Sequence, residues 1–198
     1  MVIGITGGIA SGKSTFSELV HNIYTQSILL LTDNIAKDQQ KIGEISYQSI
    51  VDYFGTDILN EDKSINSKKL GEIVFQDKEK LEILNKLTHP NVINYVKDII
   101  KNNKDKLIII ESALLFDTEL KDLCDKTIYV DTPDKMRINR MKYNRHYSDE
   151  KIKNILDKQK LDKTKANIII DNSGTIEDLE VKCLLMYDVF EKRGKYEK

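Results

Sequence analysis

The chain has 198 residues, 40% hydrophobic and 32% charged, with a formal net charge of −1. That length supports one α/β domain with inserted subdomains and a core that needs no staples, and the balanced charge supplies no basic field for nucleic acid or a membrane surface. No stretch approaches the ~18 consecutive apolar residues of a membrane span; no membrane or nucleic-acid partner is expected, and no protein partner is implied. Cys124 and Cys183 stand far apart, without a CxxC pairing or a His at ligand spacing. This argues against zinc and for a reduced, cytoplasmic protein.

The chain opens with "VIGIT" at 2–6, a strand pattern with no basic n-region, so no signal peptide is expected. "GGIASGKS" follows and fits G-x-x-x-x-G-K-[ST] from Gly7 to Ser14. Glycines let the backbone curl so that successive N–H groups face phosphate oxygens. A helix starting near Lys13 adds its positive end. Lys13 reaches the β- and γ-phosphates, and Ser14 offers its hydroxyl to Mg²⁺. Gly8, Ile9, Ala10, Ser11, Gly12, Lys13, Ser14 and Thr15 are therefore the candidate ATP-binding residues. A plain glycine-rich turn would not need strand, loop, lysine, hydroxyl and helix in this order.

"ILLL" at 28–31 is the second strand, and Asp33 lies just beyond it. Doubly wound folds bind ligands at the carboxyl edge of the sheet. Asp33 is therefore the candidate catalytic base for an attacking hydroxyl; N-capping the helix "NIAKDQQ" is a compatible role. Residues 32–105 are too long for a simple crossover and carry "SYQSIVDYF", "KKLGEIVF", "KEKLEILNKL" and "NVINYVKDIIKN" as separate amphipathic helices, which predicts a helical insertion. "LIIIE" at 107–111 ends on Glu111, an acid placed to hold the metal's water shell with Ser14. The alternative is a carboxylate that caps the next turn.

"TIYV" at 127–130 is the fourth strand. Residues 134–165 then hold eleven basic residues against five acidic ones, in two helices split near "NRHYSDE" with Ser148 as a cap. A charge run is often only a solvated face. Here Arg137 and Arg140 share a helix face, in a crossover where a mobile lid would lower them onto transferring phosphate. "NIII" at 167–170 is the fifth strand, and a final helix at about 175–192 carries Cys183 into the core, with "RGKYEK" as a frayed tail. The apolar runs are continuous rather than alternating, which predicts strands covered on both faces of a parallel sheet. The reading is an α/β fold: core 1–31, 106–133 and 166–193, helical insertion 32–105, lid 134–165.

From "IGITGGIASGKST" through "TDNIAKD", "LTHPNV", "ESALLFD", the basic segment and "ANIIIDNSGTIEDL", the chain resembles the dephospho-CoA kinase family. The resemblance implies a P-loop kinase core on a five-stranded parallel sheet, a helical substrate-binding insertion and a helical lid. It implies transfer of the ATP γ-phosphate to the 3′-hydroxyl of dephospho-CoA, giving coenzyme A and ADP, with Mg²⁺. In its terms Asp33 is the catalytic base, acting with Lys13 and Arg140. Asn172 and Gly174, in "IIDNSGT", lie on the nucleotide side. His89 of the His-Pro pair and Asp33 lie on the substrate side, joined there by Arg137 of the lid face; the plain reading of His89 and Pro90 is an X-Pro helix start, with His89 facing the interior of the insertion.

Some positions depart from the family pattern. Leu31 and Thr32 replace the first two residues of D-A-D, Ala113 replaces a proline and Asp117 a glutamate. The second of two lid arginines four apart falls on Asn144, with Arg145 one place along. A kinase of the shikimate or gluconate type shares loop and sheet but would lack this insertion. A GTP switch needs N-K-x-D, which neither "NKLT" nor "NKDK" supplies. A non-catalytic nucleotide-binding protein would not need Asp33.

Overall fold

The computed structural model describes residues 1–159 and 162–186. Lys160 and Leu161, the predicted end of the last helix and the tail lie outside the described residues, as does the side chain of Lys158. Five strands form one parallel sheet: β1 (Val2–Gly7), β2 (Ile28–Leu31), β3 (Ile108–Glu111), β4 (Lys126–Asp131) and β5 (Ile168–Asp171), in the order β2-β3-β1-β4-β5. β1 sits at the centre, with Ile3 beside Ile109 on one side and Lys126 on the other. β1 and β3 are buried along their whole length, as continuous apolar runs require, while the edge strands β2 and β5 are only partly covered.

The helices of the same compact unit as the sheet are α1 (Lys13–Ile23), α6 (Asp134–Arg145), α7 (Asp149–Lys158) and α8 (Ile176–Leu185). α1 and α8 pack together and cover one face. Phe16 and Val20 from α1 and Leu179 and Cys183 from α8 meet Ile3, Ile5 and Ile128. On the other face two short 3₁₀ turns, Leu115–Asp117 and Glu119–Leu123, press onto β1. The contact is close enough that a β-carbon at Gly4 would sit 2.7 Å from both Leu115 Cδ2 and Cys124 Sγ. Thr175 and Asp178 form a reciprocal capping box at the start of α8. Ser148 caps α7 by accepting from the Lys151 N–H.

The chain forms two compact units: Leu31–Asn102, and the remainder before and after it. The Leu31–Asn102 unit holds α2 (Thr32–Asp38), α3 (Tyr47–Phe54), α4 (Ser67–Gln76) and α5 (Lys78–Asn102). Ile50, Ile58, Leu70 and Val74 form a core of its own. "KEKLEILNKL" and "NVINYVKDIIKN" are not two helices. They are one, with Pro90 inside it rather than at a start. An internal proline removes one N–H and costs about 3 kcal/mol. Two side chains reinforce the neighbouring turns: Thr88 Oγ1 donates to the Leu84 carbonyl at 2.9 Å and Asn91 Nδ2 to that of Leu87 at 3.2 Å. The buried face runs unbroken through Thr88, Val92, Ile93 and Val96, so packing holds the helix across the proline.

Candidate active site

β1 ends at Gly7 and α1 begins at Lys13, so five residues carry the chain from strand to helix. Two of them take left-handed backbone angles, Ala10 at φ 59° and Gly12 at φ 89°. Such turns bring consecutive N–H groups to one side, and the first N–H groups of α1 are free of intrahelical partners. Gly12 is required twice over: a β-carbon there would be strained and would also strike the Asn172 side-chain amide.

Strand register brings the acid to this loop. Ile5 of β1 pairs with Glu111, the last residue of β3. The Ser14 hydroxyl donates to Glu111 Oε2 at 3.1 Å, and Lys13 Nζ lies 3.8 Å from Oε1. Glu111 is buried. Serine hydroxyl, carboxylate and ammonium thus converge at the helix start.

The other side of the loop is held by side chains from later in the chain. The Ser11 carbonyl accepts from Asn172 Nδ2 at 2.7 Å, Thr132 Oγ1 at 2.8 Å and Arg140 Nη1 at 3.3 Å. Arg140 also donates to the carbonyls of Ala10 and Asn172, at 3.3 and 3.2 Å. Arg137 is buried and donates through Nε to the Ile9 carbonyl at 3.0 Å, with Asp134 Oδ1 2.8 Å from its Nη1. Gly12, Thr15, Asn172 and Gly174 line a cleft of about 230 Å³ together with Arg140, Asn144, Thr175, Ile176 and Leu179.

Residues 1–178 match the dephospho-CoA kinase family. A Lactobacillus johnsonii protein named dephospho-CoA kinase is 39% identical over 199 residues, which cover 98% of each chain. The chain belongs to the dephospho-CoA kinase family. A solved dephospho-CoA kinase from Campylobacter jejuni superposes with a TM-score of 0.62 at 28% identity, over 96% of this chain and 97% of that one. A Thermus thermophilus structure reaches a TM-score of 0.78 at 26% identity, over 93% and 96% of the two chains.

Within this dephospho-CoA kinase fold, Lys13, Ser14 and Glu111 meet at the start of α1, and Arg140, Asn172 and Gly174 gather at the cleft. Asp33 and His89 belong to the Leu31–Asn102 unit. Asp33 is solvent-exposed in the first turn of α2 rather than its N-cap, which is Leu31. His89 is half-buried in α5, and burial pushes its pKa below the ordinary imidazole value. Asn144 lines the cleft one turn after Arg140, while Arg145 is exposed at the end of α6.

Sequence reasoning missed Thr132 and Gln159. Thr132 is 121 positions from the carbonyl it holds, and no motif marks it. Among the described residues no group of three or more His, Cys, Asp or Glu side chains is placed to hold a metal ion, and no helix is long and apolar enough to cross a membrane.

Proposed function

We propose that this chain transfers the γ-phosphoryl group of ATP to the 3′-hydroxyl of dephospho-CoA, giving coenzyme A and ADP. The observation that carries the reading is the convergence of Ser14, Lys13 and Glu111 beneath a glycine-rich loop, in a chain of this family. Mg²⁺ fits the donors present: it takes hard oxygen ligands, keeps most of its waters and needs only one or two protein groups. Ser14 Oγ and the Glu111 carboxylate are such groups, Glu111 acting through the water shell. When bound, the ion offsets charge on the β- and γ-phosphate oxygens.

The chain's own residues supply the rest. The N–H groups at the start of α1 and the Lys13 ammonium bind the phosphates. Gly8 through Thr15 form that cradle, and Asn172 and Gly174 border the cleft that takes the remainder of the nucleotide. Asp33 accepts the proton of the 3′-hydroxyl as its oxygen bonds to phosphorus and the bond to the ADP oxygen breaks. Burial lowers the pKa of His89 and so favours its neutral imidazole, which offers the acceptor a hydrogen bond rather than a charge. Arg137 and Arg140 sit on the α6–α7 segment, which acts as the lid over the phosphates.

ADP release should appear with dephospho-CoA and Mg-ATP. It should be absent with shikimate, gluconate or AMP as acceptor. Turnover of one of those acceptors, with none on dephospho-CoA, would refute the reading.

The lid arginines should separate. Arg140 touches the carbonyls of Ala10, Ser11 and Asn172, so Arg140→Ala should lower kcat/KM for ATP about tenfold or more, as loss of a charged hydrogen-bond donor does. Arg145→Ala removes an exposed charge and should stay within about twofold. ATP titrations at saturating acceptor read both. Equal losses would mean that Arg145, not Asn144, stands for the family's second arginine.

A further inference from the structure

We propose that Gln159 is a positioning residue of the nucleotide site, holding the outer turn of the glycine-rich loop in its phosphate-binding shape. Its side-chain oxygen accepts from the Ile9 N–H at 3.2 Å and from Arg137 Nη2 at 2.5 Å. Both partners can only donate, so the contacting atom is the amide oxygen and the orientation of the group follows from chemistry. Arg137 completes the arrangement by donating to the Ile9 carbonyl at 3.0 Å. Both peptide groups of Ile9 are thus taken by side chains from the α6–α7 segment.

Gln159 is itself well held. It closes α7 as its C-cap, and its backbone N–H reaches the carbonyls of Ile155 and Leu156 at 3.1 and 3.3 Å. Arg137 lies against the loop so closely that a β-carbon on Gly8 would come within 2.5 Å of its Cζ. A guanidinium this buried needs its N–H groups matched, because an unmatched donor forfeits its hydration without return. Asp134 and the Ile9 carbonyl match two of them, and Gln159 matches a third while fixing the loop.

The consequence is a division of labour along the loop. The Ile9 N–H is committed to Gln159 and the Ser11 N–H to the Gly8 carbonyl at 3.0 Å, so phosphate contacts fall to the other N–H groups of the cradle. Their arrangement is preset because the outer turn is pinned. Preorganisation of this kind strengthens binding without touching the ligand. The inference rests on the reading that the loop holds ATP.

Gln159→Leu removes the acceptor and keeps the bulk, and Gln159→Glu keeps an acceptor for both donors. ATP binding, read by titration calorimetry with Mg²⁺ and no acceptor substrate, should weaken about tenfold in Gln159→Leu, the size of one lost hydrogen bond to a charged group. Gln159→Glu should recover most of that loss. KM for ATP should rise in parallel, while kcat at saturating ATP falls less than about threefold. Arg137→Ala combined with Gln159→Leu should cost less than the sum of the two single losses, since the two share one contact while each also holds Ile9 directly. Gln159→Ser, too short to reach either partner, gives the same reading if the Leu variant does not fold.

Wild-type-like ATP binding in Gln159→Leu would overturn the proposal. So would Gln159→Glu no better than Gln159→Leu, or a loss confined to kcat. Because the acceptor is absent from the binding measurement, a failure of the dephospho-CoA reading leaves this result intact. If wild type itself binds no ATP, the underlying reading fails and this proposal with it.

Discussion

Asp33→Asn should lower kcat by about 10²–10⁴-fold, the usual cost of losing a positioned general base, or roughly 3–5 kcal/mol of barrier. The amide keeps the size of the side chain and cannot take the ribose proton. Folding should hardly change. Asp33 is solvent-exposed in the first turn of α2, where its charge meets the helix dipole for only about 0.3–1 kcal/mol, and it supplies no N-cap bond. ATP affinity should stay near wild type as well, because the proton is accepted only as the hydroxyl attacks. Single-turnover phosphoryl transfer with saturating Mg-ATP and dephospho-CoA is the measurement. A variant within threefold of wild type would reduce Asp33 to a favourable charge at a helix start.

Lys13→Ala should cost about 10²–10³-fold in turnover, because it removes a preset positive charge from the site where phosphoryl charge develops. Stability should move much less. The ammonium stands 3.8 Å from Glu111 Oε1, and Glu111 keeps the Ser14 hydroxyl at 3.1 Å when the lysine is gone. Thermal melts run beside turnover separate the two effects. A Lys13→Ala protein with near-wild-type activity would remove the phosphate-binding assignment of the loop.

Local signals were legible. The strand–loop–helix order around Gly7–Ser14 can be read because every part of it lies within a dozen residues of chain. The five strands were legible for the same reason: short continuous apolar runs, β-branched at the ends of several, bounded by polar turns. The acid at the end of "LIIIE" was legible as a position, though not as a partner of Ser14 and Lys13. That pairing follows from the register of β3 on β1, where Ile5 meets Glu111.

Two expectations failed for opposite reasons. Pro90 reads as a boundary because proline weakens a helix locally, yet the buried face on both sides of it is continuous and packing outweighs the local cost. Asp33 reads as a cap because it precedes an apolar pattern, yet the helix begins at Thr32, directly after β2, and so takes Asp33 into its first turn.

The sequence by itself determined the alternation of strands and helices, the phosphate loop and the basic segment that follows β4, because each rests on residues that are neighbours along the chain. Only the tertiary structure decided which side chains hold that loop. Uniformly buried parallel strands carry no alternation of polar and apolar residues, so their pattern does not specify which strand lies beside which. The order β2-β3-β1-β4-β5 sets that, and it brings Thr132, Gln159 and Asn172 to carbonyl and N–H groups more than 100 positions away. Hydrogen bonds across such distances leave no periodic signal, because their geometry is created only when the sheet assembles.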